Sequence, residues 1–320
     1  MDNRNKKEGL RESKDPLKHQ STRRSFLKGL SCAAVAGSAG LATGGCGNTA
    51  TADEMGLKWE EFFKKNYRLM TREEKDEAVA RLVRLAKLRY DLDINMSNRE
   101  PLERVLYGYA FNISRCKGYM DCVEACVKEN NLDRKSQTQY IRLFEMDTGQ
   151  LDPTSGEGKY FHEVPVEGKF YMGVQCFHCE NAPCIKACPT KATWQEPDGI
   201  VVVDYDWCIG CRYCLAACPY WGRRFNWGEP EVPEEDINRN QHYLGNRMRM
   251  KGVMEKCTFC IQRSRDGKLP ACADACPTGS RVFGNLLDPD SEIRFVLENK
   301  KVFRFKEDLD TDPKFWFFMD

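Results

Sequence analysis

Cys208, Cys211, Cys214 and Cys218 follow one another as C-x₂-C-x₂-C-x₃-C, and Pro219 comes directly after the last. Thiolates are soft, anionic ligands, and three of them in one tight loop suit three corners of an iron–sulfur cube. The fourth would stand on the following helix and reach a neighbouring cube. Pro219 disfavours the helical conformation at Cys218, so the chain turns there. A zinc ribbon or a disulfide framework would also use cysteines, but zinc sites rarely place a third one at this interval.

Three related groups surround this run. Cys116, Cys122 and Cys126 keep its intervals, with Tyr119 in the second cysteine's place and no proline after Cys126. Cys176-x₂-Cys179-x₄-Cys184-x₃-Cys188 is followed by Pro189, its loop lengthened by Asn181-Ala182-Pro183. Cys257-x₂-Cys260-x₁₁-Cys272-x₃-Cys276 is followed by Pro277. Of the 17 cysteines, only Cys32 and Cys46 lie outside these groups. The remaining cysteines are all absorbed, so none is left for a structural disulfide, and the single vacancy is at Tyr119.

The elements that must position these loops are short. Apart from residues 1–50, the chain divides into a charged helical extension (51–112), the cysteine-bearing domain (113–287) and a C-terminal tail (288–320). In the extension, Thr71 with Glu74 makes a capping box, and Ala78, Leu82, Leu85 and Leu88 recur at helical spacing, which predicts a helix over 72–89 packing over the cysteine domain. The helix through Cys126 should be capped by Asn130-Asn131. Alternation predicts strands over 138–146 (Tyr140, Ile141, Leu143, Phe144) and 160–166, joined by a turn at 152–158. Residues 199–204 read as a short buried strand, 228–249 as a polar connection carrying Pro230 and Pro233, and Asp266-Gly267 as a turn. The aromatic tail Phe315-Trp316-Phe317-Phe318 reads as a strap over the chain's own core.

Composition bounds the function. Formal net charge is +1, but the first 50 residues carry nine basic and four acidic side chains, so the remainder is net acidic. An acidic body gives no reason to expect a nucleic-acid partner. Ser21-Thr22-Arg23-Arg24-Ser25-Phe26-Leu27-Lys28 looks like the twin-arginine export consensus, followed by a weakly apolar Ala/Gly-rich stretch. Export of a folded, loaded protein would keep the thiols from oxidation in transit. Thr43-Gly44-Gly45-Cys46 resembles a lipoprotein cleavage site, although Thr43 stands where leucine is usual. Lipidation of Cys46 and cleavage nearby, after Ala50, both stay open. There is no C-x-x-C-H haem site, no Gly-rich dinucleotide fingerprint and no H-E-x-x-H zinc motif, so nothing in the sequence advertises bond-making catalysis. His162, His178 and His242 are scattered and are expected at the surface or behind the ligands.

Groups two to four, with Cys176-Phe177-His178-Cys179-Glu180-Asn181-Ala182-Pro183-Cys184 and Glu255-Lys256-Cys257-Thr258-Phe259-Cys260, resemble the four-cluster iron–sulfur subunit of the dimethyl sulfoxide, polysulfide and tetrathionate reductases. Periplasmic subunits of nitrite- and sulfite-linked electron-transfer complexes share the pattern. The resemblance runs from about residue 110 to 287. It implies an α+β fold of two ferredoxin-like dicluster halves with a helical extension. It also implies exchange of fourth cysteines. Cys208, Cys211, Cys214 and Cys188 would hold one [4Fe–4S] cube, and Cys176, Cys179, Cys184 and Cys218 another. Cys257, Cys260, Cys272 and Cys126 would hold a third, leaving Cys116, Cys122 and Cys276 for a fourth cluster. Tyr119 departs from the complete pattern. A cube lacking one thiolate can lose that iron and become [3Fe–4S]; alternatively the Tyr119 phenolate or water completes [4Fe–4S]. Three irons is the expectation. The implied role is electron relay on the periplasmic face of the inner membrane. The relay would run between an integral quinone-reactive subunit and a molybdopterin enzyme or multihaem cytochrome c. A freestanding polyferredoxin is the alternative.

Overall fold

In the computed structural model, residues 68–150 and 152–320 are described. The twin-arginine stretch, Cys32, Cys46 and the first part of the extension lie outside them. Helix α1 (Arg72–Tyr90) starts where the capping box predicts. The Thr71 hydroxyl accepts from the Glu74 N–H, and the Glu74 carboxylate accepts from the Thr71 N–H, satisfying two donors that a helix start leaves open. Its apolar stripe is used only in part: Leu82 is buried, whereas Leu88 is 76% exposed.

Beyond α1 come β1 (Asn95–Ser97), β2 (Tyr107–Asn112), α2 (Asp121–Glu129), β3 (Arg142–Asp147), β4 (Lys169–Val174) and α3 (Pro183–Lys186). Next are β5 (Thr193–Gln195), β6 (Val201–Val203), α4 (Tyr213–Ala216), β7 (Arg223–Phe225), β8 (Asn240–His242) and β9 (Met254–Lys256). The chain ends with α5 (Ile261–Ser264), α6 (Ala271–Asp274), β10 (Arg281–Asn285), α7 (Glu292–Asn299), β11 (Val302–Phe303) and β12 (Phe315–Phe318). The fold is α+β, as expected.

Its elements sort into two halves. In one, helical turns α3 and α4 pack together beside the antiparallel pair β5–β6. In the other, α2 packs on α6 beside the antiparallel pair β2–β10. The antiparallel pair β7–β9 joins the halves, because β7 follows the third cysteine group and β9 precedes the fourth. A parallel pair, β1–β8, ties the extension to the polar connection.

Two expectations need correction. The partner of β3 is β4, not a strand over 160–166. Pro165 has no N–H to give a ladder, and Gly168, at φ +77°, supplies the left-handed turn from which β4 departs. Residues 107–112, assigned above to a helical extension, form a strand whose six residues are all buried. The tail strand β12 lies inside the sheet β10-β2-β12-β11, parallel to β2. Phe315 stacks on Tyr109 at 5.1 Å and on Phe177 at 4.7 Å, so the strap is part of the core itself.

Candidate metal centres

All fifteen cysteines of the four groups are free thiols. The loops that carry them bend through left-handed residues. In the third group Gly210 (φ +76°) and Arg212 (φ +67°) flank Cys211. In the first, Gly118 (φ +82°) and Met120 (φ +67°) flank Tyr119. Tyr119 therefore stands on the backbone of a cysteine loop, with its ring about half exposed. A side chain at Gly118 would collide with the Tyr171 ring at 2.5 Å, so the loop is also held by close approach.

The short helical turns then carry the last cysteines across to other groups. Cys218 lines one small cavity with Cys176, Cys179 and Cys184. Cys276 lines another with Cys116 and Cys122, beside Tyr119. Cys126 faces Cys257, Cys260 and Cys272. Cys188 and Cys208 face Cys214, with Cys211 in the same loop. Two cavities thus each mix two groups, and the neighbours of Cys126 and Cys214 mix groups as well, with Cys184 also near Cys214.

Among the described residues no three His, Cys, Asp or Glu side chains converge on a single-ion position. Two of the cysteine sets line small cavities, as ligands around a cluster would. Their surroundings supply N–H and O–H donors to sulfur. Met254 N–H points at Cys208 Sγ (3.5 Å), Phe259 N–H at Cys257 Sγ (3.4 Å) and Arg223 Nη2 at Cys184 Sγ (3.1 Å). Asn130 Nδ2 lies 3.6 Å from both Cys126 Sγ and Cys260 Sγ, and the Tyr109 hydroxyl 3.3 Å from Cys272 Sγ. Nε and Nη1 of Arg223, and Nε and Nη2 of Arg281, are buried without a partner. Buried donors in want of acceptors beside paired thiols fit anionic sulfide-bearing clusters. Burial first, then neighbouring thiols, pushes Cys116 and Cys214 up to about 11 and Cys260 to about 12, whereas at Cys276 burial is outweighed by hydrogen bonds from Thr278 and Ser280, which hold it down.

Of His162, His178 and His242, two are buried and one lies at the surface. His178 is buried, stacked 3.8 Å from Phe259, and its Nδ1 accepts from Val201 N–H. His242 is buried too; its Nδ1 accepts from Leu244 N–H and its Nε2 lies 3.1 Å from the Arg99 carbonyl. His162 remains half-exposed against Glu145. Arg223 and Arg281 drew no attention in the sequence; their matched positions after two of the three Cys-Pro steps were the available signal, the third step having Thr193 at that place.

Helical turns that trade their last thiols, twice over, define a protein of the ferredoxin-like dicluster class. The 4Fe-4S dicluster domain matches residues 168–238 and 242–286. A Halobacterium salinarum protein provisionally assigned as the iron-sulfur subunit of a dimethyl sulfoxide reductase is 39% identical over 66% of this chain and 78% of its own length. The Hdr-like menaquinol oxidoreductase iron-sulfur subunit 1 of Archaeoglobus fulgidus is 35% identical, over 68% of this chain and 84% of its own. A selenate reductase subunit of Mesobacillus selenatarsenatis is 33% identical, over 72% and 77%. The chain belongs to this family of iron–sulfur electron-transfer subunits of oxidoreductases, and its buried thiols support several [4Fe–4S] clusters.

Proposed function

We propose that this chain is a four-cluster electron relay on the periplasmic face of the inner membrane. It would pass electrons between an integral quinone-reactive subunit and a molybdopterin enzyme or multihaem cytochrome c. The observation that carries the reading is the exchange of last cysteines between groups. Cys208, Cys211, Cys214 and Cys188 hold one [4Fe–4S] cube; Cys176, Cys179, Cys184 and Cys218 hold the second; Cys257, Cys260, Cys272 and Cys126 hold the third. Cys116, Cys122 and Cys276 hold a fourth cluster of three irons, or of four completed by Tyr119 or water. Bound clusters supply one-electron transfer. The chain sets their burial, their spacing and the donors at their sulfur, and hence their potentials.

The quinone link takes its support from the menaquinol named for the Archaeoglobus relative. Periplasmic placement takes its support from the Arg23-Arg24 consensus, with Cys46 as the candidate lipid anchor. The test is anaerobic purification from detergent-solubilised membranes with iron, sulfide and partner analysis. Iron and acid-labile sulfide for four clusters, together with a co-purifying multi-span subunit, are expected. Zinc in place of iron would end the cluster reading, and a monomer released by osmotic shock would favour a freestanding polyferredoxin.

A further inference from the structure

Two stretches of this chain repeat one design. Each begins with the proline after a group's last cysteine and ends at an arginine five positions past that cysteine: Cys218 to Arg223, and Cys276 to Arg281. Each arginine opens a strand, β7 or β10. Both are buried, at 3% and 5% exposure.

Among the described residues neither guanidinium meets a carboxylate. Arg223 Nη2 donates to Cys184 Sγ at 3.1 Å and to Thr193 Oγ1 at 2.8 Å, and its other two nitrogens have no acceptor. Arg281 Nη1 donates to Gln175 Oε1 at 2.9 Å and its guanidinium lies over the Phe111 and Tyr109 rings, at 5.1 and 6.0 Å, while Nε and Nη2 find no acceptor in hydrogen-bond geometry. A guanidinium stays charged at any working pH, and burying one without a counter-charge is costly. An anion in the adjoining cavity would supply the counter-charge each lacks. Arg223 lines the cavity of Cys176, Cys179, Cys184 and Cys218, and Arg281 that of Cys116, Cys122 and Cys276. Each also faces a cysteine of its half's other set, Cys214 for Arg223 and Cys272 for Arg281.

We propose that Arg223 and Arg281 are a repeated pair of potential-setting residues, one buried guanidinium lying between the two cysteine sets of each half and raising the reduction potentials of the clusters held there. A fixed positive charge and N–H donors at sulfur favour the more negative, reduced state. The pair acts through the clusters and ligates nothing.

This inference rests on the ligand sets proposed above, so each sample is first assayed for iron and acid-labile sulfide. A parent lacking them is a failure of those sets. In loaded protein, anaerobic redox titration followed by electron paramagnetic resonance reads the potentials. Arg223→Gln should lower those of the half containing Cys176 to Cys218 and spare the other half; Arg281→Gln should do the reverse. The expected shift is at least tenfold in the reduction equilibrium, ~59 mV for one electron. Lysine at either position, keeping the charge, should recover most of it. Loaded variants with unchanged potentials, or an equal shift in both halves, would overturn the proposal. Should a glutamine variant fail to load, parent protein labelled with ¹⁵N-arginine decides. Spin-echo modulation from guanidinium nitrogen on the reduced clusters is expected, and its absence in fully loaded protein would overturn the proposal equally.

Discussion

Tyr119 is a one-residue change on an otherwise intact loop. Met120 (φ 67°, ψ −5°) and Arg212 (φ 67°, ψ 5°) adopt the same conformation after Tyr119 and Cys211. A thiol placed at residue 119 should therefore meet its cluster without rebuilding the backbone. Tyr119→Cys is expected to abolish a three-iron resonance in the oxidised protein and to add one iron per chain. A parent with no such resonance would rule out the three-iron form. The vacancy was readable because cysteine intervals are a local code. The burial of His178 and His242 was not, since a lone imidazole carries no such code. Burial first, then the Arg265 charge with a smaller push from Lys75, holds His242 down at about 3 against the opposing Arg99 carbonyl. An unfolded chain takes up a proton below about 6.5 that the folded one refuses. The stability from neutral His242 is thus fully present above about pH 6.5 and is lost as pH falls towards 3, by about 1.4 kcal/mol per unit. Denaturant midpoints at pH 7 and 5 should show His242→Gln losing about 2 kcal/mol less than the parent across that interval. Equal losses would mean that His242 does not titrate in this window.

At the scale of elements, the halves are joined by side chains as well as by β7–β9. Arg265, just past α5, reaches the loop between β5 and β6, where its Nε lies 2.9 Å from Asp198 and its Nη2 3.1 Å from Glu196. Arg265 and Asp198 are 2% and 0% exposed. Removing one partner of a buried pair leaves an uncompensated charge and costs about 3–5 kcal/mol. Arg265→Met should lower stability by that amount in chemical denaturation, and adding Asp198→Asn should restore a large part. A loss below about 1 kcal/mol would mean that the pair behaves like a surface bridge. Elements with a local signature were legible: the Thr71–Glu74 cap, the turn at Gly267 and the β6 valines all stand where the pattern put them. The strand over 160–166 was misread because its alternation is real, yet Pro165 cannot join a ladder. Only the pairing with β3 shows that β4 takes that place.

For the whole molecule, the least legible feature is the one that closes it. Strand β2 precedes the first cysteine group and β12 is the last strand, and their parallel pairing sets Tyr109 beside Phe315, far apart in the sequence. Such long-range pairing leaves no periodic trace in either segment, and β12 falls beyond the residues that carry the family resemblance. Yet β12 touches both halves. Phe317 meets Phe111 of β2 edge-on at 6.1 Å, and the Lys314 N–H donates to the Phe177 carbonyl, inside the second cysteine loop, at 3.0 Å. The Lys314 ammonium also pairs with Glu180 in that loop. A tail serving only as a cover would leave the clusters beneath it intact when removed. A tail that completes the core would take the loops with it, because Phe315 and Phe317 are fully buried and truncating such a ring costs about 3–5 kcal/mol. Phe317→Ala should therefore lower stability by that amount while the protein still loads iron. Deletion of residues 314–320 should reduce iron and acid-labile sulfide in both halves together, seen as loss of resonances from all the clusters. Full loading of the truncated chain would restrict β12 to a cover.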